Sequence, residues 1–224
     1  MEASPIRCLV SAGPTREYFD PVRFLSNPSS GRMGFAIAEA ARARGWEVVL
    51  VSGPAALPDP AGVRVVRVET GEEMHAALLE SFAECDVLFM TAAVMDTRPR
   101  HCSPHKVKKD QLPGVIEMVP ATDILADLGR RKAGQTLVGF AAETENLEAN
   151  ARAKLERKNL DLIAANVVGV PGSGFVAETN RIVLLSRDGG REVLGPASKH
   201  EIADLLITRV APLAERAREG RERP

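Results

Sequence analysis

Apolar residues along the chain gather in short runs rich in Val, Ile and Leu, separated by stretches where they recur every three or four positions. The runs at residues 6–11, 47–52, 63–68, 86–90, 136–140 and 160–165 predict strands. Several are apolar almost throughout, the pattern of strands covered on both faces. Between most of them, residues 31–44, 71–82, 123–132 and 147–158 predict helices. In the first of these Phe35, Ile37, Ala38 and Ala41 make an apolar stripe, with Arg42 and Arg44 on the wetter side.

Near the end the rhythm changes. Residues 181–186 and 191–194 flank Arg187-Asp188-Gly189-Gly190, and Asp-Gly and Gly-Gly tolerate the positive φ of a tight hairpin. Ser198 with Glu201 three positions on forms a capping-box pattern for a last helix striped by Ile202, Leu205, Leu206 and Val210. Strands alternating with helices predict one α/β domain over residues 1–224, with a core of about 6–210. Its fold class is a three-layer α/β/α Rossmann-like, mostly parallel sheet with a C-terminal antiparallel hairpin. The charged stretch 215–224 is expected to fray. Ligands of such folds bind beyond the carboxyl ends of the strands, so the loops there carry the chemistry.

Composition narrows the classes. Lys and Arg number 29 against 30 Asp and Glu, a net charge of −1, which argues against a general nucleic-acid or anionic-membrane binder. One Trp, one Tyr and seven Phe are few for a base-stacking platform. No apolar run reaches the ~18 residues of a membrane span and no signal-peptide pattern opens the chain. Cys8, Cys85 and Cys102 are odd in number and form no CxxC, so neither a disulfide framework nor a zinc site is expected, and the expected location is cytoplasmic.

Two loops carry candidate chemistry. After the first strand come Ser11-Ala12-Gly13-Pro14-Thr15-Arg16-Glu17 and then Ser26-Asn27-Pro28-Ser29-Ser30-Gly31-Arg32-Met33-Gly34. There is neither a GxGxxG fingerprint nor a GxxxxGK[ST] loop. Ser29-Ser30-Gly31 nevertheless stands directly before a helix, where free amides, hydroxyls and the positive helix end make an anion site, and Gly31 and Gly34 let a phosphate approach the backbone. The plainer reading makes Ser29 or Ser30 an N-cap. About twenty residues without regular structure favour a functional loop, and Asn27, Arg16 and Arg23 share it.

The second loop, Thr91-Ala92-Ala93-Val94-Met95-Asp96, offers small residues and one carboxylate. Arg98, Arg100, Lys106, Lys108 and Lys109 follow with no acid before Asp110. In a neutral protein this run suits a polyphosphate, the alternative being a solvated basic loop. His101 and His105 flank Cys102, but Pro104 interrupts the helix a metal pair would need. His75 and His200 are expected at the surface. The chemistry reads as phosphate handling.

Together these segments resemble the phosphopantothenoylcysteine synthetase family. The resemblance is carried by SAGPTRE at 11–17, DPVRFLSNPSSGRMG at 20–34, AAVMDTRP at 92–99 and HKVKK at 105–109. GFAAET at 139–144, KLERKNLDLIAAN at 154–166 and Ser198-Lys199 add to it. It runs in order over roughly residues 6–210.

The resemblance implies a ligase of coenzyme A biosynthesis. It would join 4′-phosphopantothenate to L-cysteine through an acyl-nucleotide, with a nucleoside triphosphate and Mg²⁺. Asn27 and Lys106 would be catalytic, Asn27 on the reacting carboxylate and Lys106 on charge at the α-phosphate. The nucleotide would be held by Gly13, Ser29, Ser30, Gly31, Gly34, Ala92, Asp96, Lys106, Asp123, Ile124, Phe140, Lys154, Lys158 and Asn166. Phosphopantothenate would meet Arg23, Asn27, Ala92, Ala93 and Asp96, with Arg23 reaching a partner subunit's site. Lys154 and Lys158 lie four apart on one helix face, a like-charge pair that an anion would relieve. Phe140 ends a predicted strand and could serve the core alone; Asn166 could simply make a turn.

Two departures stand out: Ala121-Thr122-Asp123-Ile124 replaces the family's usual Asn-Pro-Asp-Ile, and Met95 and Thr97 differ from the usual neighbours of the aspartate. The K-x-K-K run at Lys106–Lys109 implies CTP, with ATP the alternative. Mg²⁺ is expected to be held mainly by the nucleotide phosphates, and the family resemblance implies a homodimer with sites near its interface. Many bacterial relatives also carry an N-terminal flavin-dependent decarboxylase, for which 224 residues leave no room. A non-catalytic nucleotide-binding regulator and an NAD(P)-linked oxidoreductase are the alternatives from other classes. Retained Asn27 and Lys106 argue against the first, and the missing glycine fingerprint against the second.

Overall fold

The computed structural model describes residues 4–167 and 179–222. Its centre is an eight-stranded sheet whose parallel part holds β1 (Arg7–Ala12), β4 (Glu47–Ser52), β5 (Arg64–Arg67), β6 (Val87–Met90), β9 (Thr136–Glu143) and β10 (Leu162–Val167). Two antiparallel strands, β11 (Thr179–Ser186) and β12 (Arg191–Ser198), extend it beyond β10. The order β12-β11-β10-β9-β6-β1-β4-β5 reverses direction between β1 and β6. In open α/β sheets such a reversal opens a crevice at the strands' carboxyl ends.

Alternation along the strands explains the layers. On β1, Cys8, Val10 and Ala12 join one apolar cluster and Leu9 the other; on β6, Val87 and Phe89 face one side and Leu88 and Met90 the opposite one. With a two-residue side-chain period, strands this apolar must be covered twice. Helices α1 (Arg32–Ala43) and α5 (Lys199–Glu222) cover the first face. Helices α2 (Gly71–Phe82), α3 (Ile124–Arg131) and α4 (Leu147–Arg157) cover the second. Phe89 and Leu9 are among the largest fully buried side chains, and truncating either to Ala would cost about 3–5 kcal/mol. The mostly parallel three-layer expectation holds, as do the last hairpin and the capping box, in which Ser198 Oγ accepts from Glu201 N at 3.2 Å and Glu201 Oε2 accepts from Ser198 N at 2.8 Å.

Three expectations are corrected. The first loop is not without regular structure: β2 (Arg16–Asp20) and β3 (Arg23–Ser26) form an antiparallel arm outside the main sheet. Tyr18 meets Phe24 edge to face at 5.3 Å, and the Arg16 guanidinium lies 4.5 Å from the Phe24 ring centroid. A second small ribbon pairs β7 (Thr97–Pro99) with β8 (Met118–Pro120).

The segment expected to fray is helical through Glu222, the last two residues lying outside those described. Arg221 grips Asp86 through Nε at 2.8 Å and Nη2 at 3.2 Å; Arg218 donates to the Ser4 carbonyl, and Glu222 pairs with Ser4. Finally, His75 is no plain surface residue. It is half-buried and meets Asp127 at 2.9 Å, tying α2 to α3.

Candidate functional site

The crevice at the β1/β6 reversal holds a cavity of about 390 Å³. Its floor is the end of β6 and the following loop, Thr91 to Val94, and one wall is the start of α1. Gly31 caps that helix with φ +77°, the left-handed region where a Cβ is costly, and no side chain caps the helix. The N-cap reading of Ser29 and Ser30 is thereby corrected: Ser29 Oγ accepts from Gly31 N at 3.3 Å, outside the helix. Arg32, Met33 and Gly34, the first residues of α1, line the cavity, and the start of a helix favours an anion. A Cβ on Gly34 would stand 2.5 Å from Ala12 Cβ and from Thr91 Oγ1, so the glycine lets α1 press against the strand ends.

Asn27 joins the two loops. Its Nδ2 donates to the carbonyls of Ala93 and Val94, each at 3.2 Å. The backbone repeats the link, with Ala93 N donating to Gly13 O at 2.9 Å. Gly13 therefore sits behind the cradle and does not line it.

A second lobe opens beside the first and shares Ala92, Val94, Asp96, Phe140 and Lys154 with it. It ends at Asp123, Ile124 and Lys158. Asp123 N-caps α3, accepting from Ala126 N at 3.0 Å, and takes an ion pair from Lys158 Nζ at 2.8 Å. Burial pulls this carboxylate upward, but the Lys158 and Ala126 hydrogen bonds outweigh it and hold it below its ordinary value. Lys154 donates to the Phe140 carbonyl at 3.0 Å; burial first, then Lys158, lowers its ammonium from its ordinary value. The like-charge conflict expected on α4 is thus partly met by Asp123 within the chain. Phe140 does not end its strand, since β9 runs on to Glu143, and Asn166 pairs with Ala142 within β10. Both line the cavity.

Most of the expected residues come together: Asn27, Ser29, Ser30, Gly31, Gly34, Ala92, Ala93, Asp96, Phe140, Lys154 and Asn166 in the first lobe, and Asp123, Ile124 and Lys158 in the second. Gly13, Arg23 and Lys106 stay outside both. Arg23 pairs with buried Asp20 at 2.6 Å and donates to the Val107 carbonyl at 3.2 Å, while Asp20 also accepts from Val107 N at 3.2 Å. The segment carrying Lys106 is thereby clamped to the β2–β3 arm, and Lys106 itself is exposed. Sequence reasoning passed over Arg32, Thr91, Asn180 and Lys199, all of which line the first lobe. Lys199 was visible in the Ser198-Lys199 pair but carried no role.

The fold and cleft define a class: an α/β protein with a pocket at the strand-order reversal lined by Arg32, Lys154 and Lys199. Comparison with known proteins narrows the class. Residues 4–213 match the family described as DFP, DNA/pantothenate metabolism flavoprotein C-terminal domain, and the chain belongs to that family. It is 42% identical over 212 residues to the coenzyme A biosynthesis bifunctional protein CoaBC of Bacillus subtilis (strain 168), covering 94% of this chain and 52% of that protein. To the protein of the same name from Escherichia coli (strain K12) it is 45% identical over 209 residues, 92% of this chain and 51% of that one. The chain spans about half the length of these relatives. A crystal structure of the C-terminal domain of a CoaBC protein superposes with a TM-score of 0.81 at 41% identity, covering 95% of this chain and 97% of that one.

Proposed function

We propose that this chain joins 4′-phosphopantothenate to L-cysteine, activating the carboxylate with CTP. The observation that carries the reading is the two-lobed cleft, lined by Arg32, Lys154, Lys158 and Lys199 against Asp96 and Asp123, in a chain closely similar to proteins named for coenzyme A biosynthesis. A carboxylate attacking a triphosphate brings two anions together, so positioning and charge neutralisation dominate over covalent help from the protein. The uncapped α1 amides with Ser29 and Ser30 would hold the phosphates. Phe140, Lys154, Lys158 and Asn166 would flank the nucleoside. Asn27 would exchange one of its 3.2 Å loop contacts for the substrate carboxylate. In the second step the cysteine amine attacks the acyl carbon and the nucleoside monophosphate leaves.

A magnesium ion would reduce the charge on the triphosphate. The carboxylates lining the cleft are Asp96 and Asp123, and no group of three or more metal-ligating side chains occurs among the described residues, which fits an ion carried mainly by phosphates and water. CTP is preferred to ATP because the Lys106-Val107-Lys108-Lys109 run resembles that of the CTP-using family members.

Lys106 lies on the exposed segment clamped to the β2–β3 arm, outside its own chain's cleft. A homodimer in which the arm of one protomer reaches the cleft of its partner would bring Lys106 to the α-phosphate. The test is pyrophosphate release with CTP or ATP, with and without 4′-phosphopantothenate and then cysteine, with the thiol product identified by mass. Release that ignores 4′-phosphopantothenate with both nucleotides would remove the ligase reading. For the shared site, mixing inactive Asn27→Asp and Lys106→Ala proteins should restore up to about a quarter of the activity, if subunits exchange at random; no recovery after verified exchange would place both residues on one protomer's site.

A further inference from the structure

Thr15 belongs to the SAGPTRE segment, is fully buried and lines neither lobe of the cleft. It touches the 91–96 loop twice and the arm once. Its amide donates to the Ala93 carbonyl at 3.4 Å, its Oγ1 accepts from Met95 N at 3.2 Å, and its carbonyl accepts from Ser26 Oγ at 2.7 Å. A valine would fill much the same space, so it is the hydrogen bonds that call for a hydroxyl here. With the Met95 N–H donating into it, that hydroxyl sends its own proton elsewhere, and the Glu17 carboxylate receives it. Glu17 is fixed in turn by Gly71 N, which donates to its Oε1 at 3.0 Å. A carboxylate that only accepts thus keeps a lone pair of Thr15 turned toward Met95.

The direction of this chain matters because the other tie to the loop has to let go. The Ala93 carbonyl accepts from both Asn27 Nδ2 and Thr15 N, and the Val94 carbonyl accepts from Asn27 Nδ2. When Asn27 turns to a substrate carboxylate, Thr15 still grips the loop at Ala93 and at Met95, directly before Asp96. We propose that Thr15 is a positioning residue, the fixed anchor that keeps Ala92, Ala93 and Asp96 in place while Asn27 exchanges partners. The anchoring stands on the contacts above; its part in turnover rests on the ligase reading.

Amide hydrogen exchange of the whole protein, read by mass spectrometry over residues 91–96, is compared for wild type, Thr15→Val, Thr15→Ala, Thr15→Ser and Asn27→Ala. Folding of each is checked by circular dichroism. Loss of the Met95 hydrogen bond should speed exchange of this segment at least about tenfold in Thr15→Val and Thr15→Ala, with β1 and β6 unchanged. Thr15→Ser keeps the hydroxyl and Asn27→Ala keeps both Thr15 contacts, so each should stay within about threefold of wild type. In turnover, the KM for 4′-phosphopantothenate should rise about tenfold in Thr15→Val and Thr15→Ala and recover in Thr15→Ser, while the cysteine KM holds. Unchanged exchange in either folded variant overturns the anchor. So does a tenfold loss of protection in Asn27→Ala, a result that needs no Thr15 variant to fold. Faster exchange with an unchanged KM for 4′-phosphopantothenate removes the role in turnover. If wild type shows no release of pyrophosphate that depends on 4′-phosphopantothenate, the ligase reading falls, and the exchange data alone decide the anchor.

Discussion

Replacing Arg221 with methionine tests whether the last turns of α5 are part of the fold. The Asp86 side chain is 0% exposed and accepts three hydrogen bonds: from Arg221 Nε at 2.8 Å, Arg221 Nη2 at 3.2 Å and Arg7 N at 2.8 Å. Methionine keeps helix propensity and much of the stem packing, so the change removes mainly two charge-assisted donors and leaves a buried carboxylate on one amide. Breaking a fully buried pair costs about 3–5 kcal/mol. The Arg221 side chain is 26% exposed, so water can reach the gap, and the expected loss is about 2–3 kcal/mol. In a chain of this size that lowers Tm by roughly 5–10 °C.

Urea denaturation, followed by circular dichroism and by the fluorescence of the buried Trp46, measures the loss. Adding Asp86→Asn removes the stranded charge, so Asp86→Asn/Arg221→Met should recover about 1 kcal/mol relative to Arg221→Met alone. Arg221→Met within about 0.5 kcal/mol of wild type, the range of an ordinary surface change, would show that the ion pair does not anchor the helix and would refute the reasoning.

Other outcomes follow from the cleft. Gly34→Ala should cost about 1–3 kcal/mol by overpacking against Ala12 and Thr91, and should raise the nucleotide KM, read by melts and steady-state kinetics. Asn27→Asp replaces two N–H donors with an anion facing the Ala93 and Val94 carbonyls; turnover should fall at least about 100-fold, beyond any loss of stability. Asp123→Asn keeps an N-cap but loses the Lys158 pair, so it should be less stable at neutral pH by about 0.5–1 kcal/mol after screening. Because the native Asp123 carboxyl is held below its ordinary value, its contribution is complete above about 3.9 and disappears as pH falls through the lower native value, so denaturation curves of the two proteins should converge in acid. Lys106→Ala, at an exposed position, should melt within about 0.5 kcal/mol of wild type while losing most turnover.

The strands and helices of the main sheet were legible because they obey a period. Cys8, Leu9 and Val10 could belong only to a strand covered on both faces, and Phe35, Ile37 and Ala41 mark a helix with one wet side. The β2–β3 arm is short and half-exposed, so apolar periodicity missed it. The Asp20-Pro21 turn signal between Tyr18 and Phe24 was the clue available. The tail from Glu215 looks frayed in sequence because its charges have no local reason to stay helical. Its partner Asp86 lies 135 positions away.

The site divides along the same line. Residue types and order singled out Asn27, Ser29, Gly31 and Asp96, and the family resemblance added Phe140, Lys154 and Asn166, all of which line one cavity. Which groups face the cleft is a property of the reversed strand order, which brings the loops after β1 and β6 together with the starts of α1 and α5. That arrangement turned Asn27 into the tie between two loops and left Lys106 outside the cleft, on the segment clamped to the arm. It also buried Lys199, drawn from the far end of the chain, beside Arg32. The sequence by itself determined the elements of the main sheet and their two-faced burial, because these follow from side-chain period and type. Only the tertiary structure decided which charges meet, because that depends on contacts between segments far apart in the chain, where local propensity has no say.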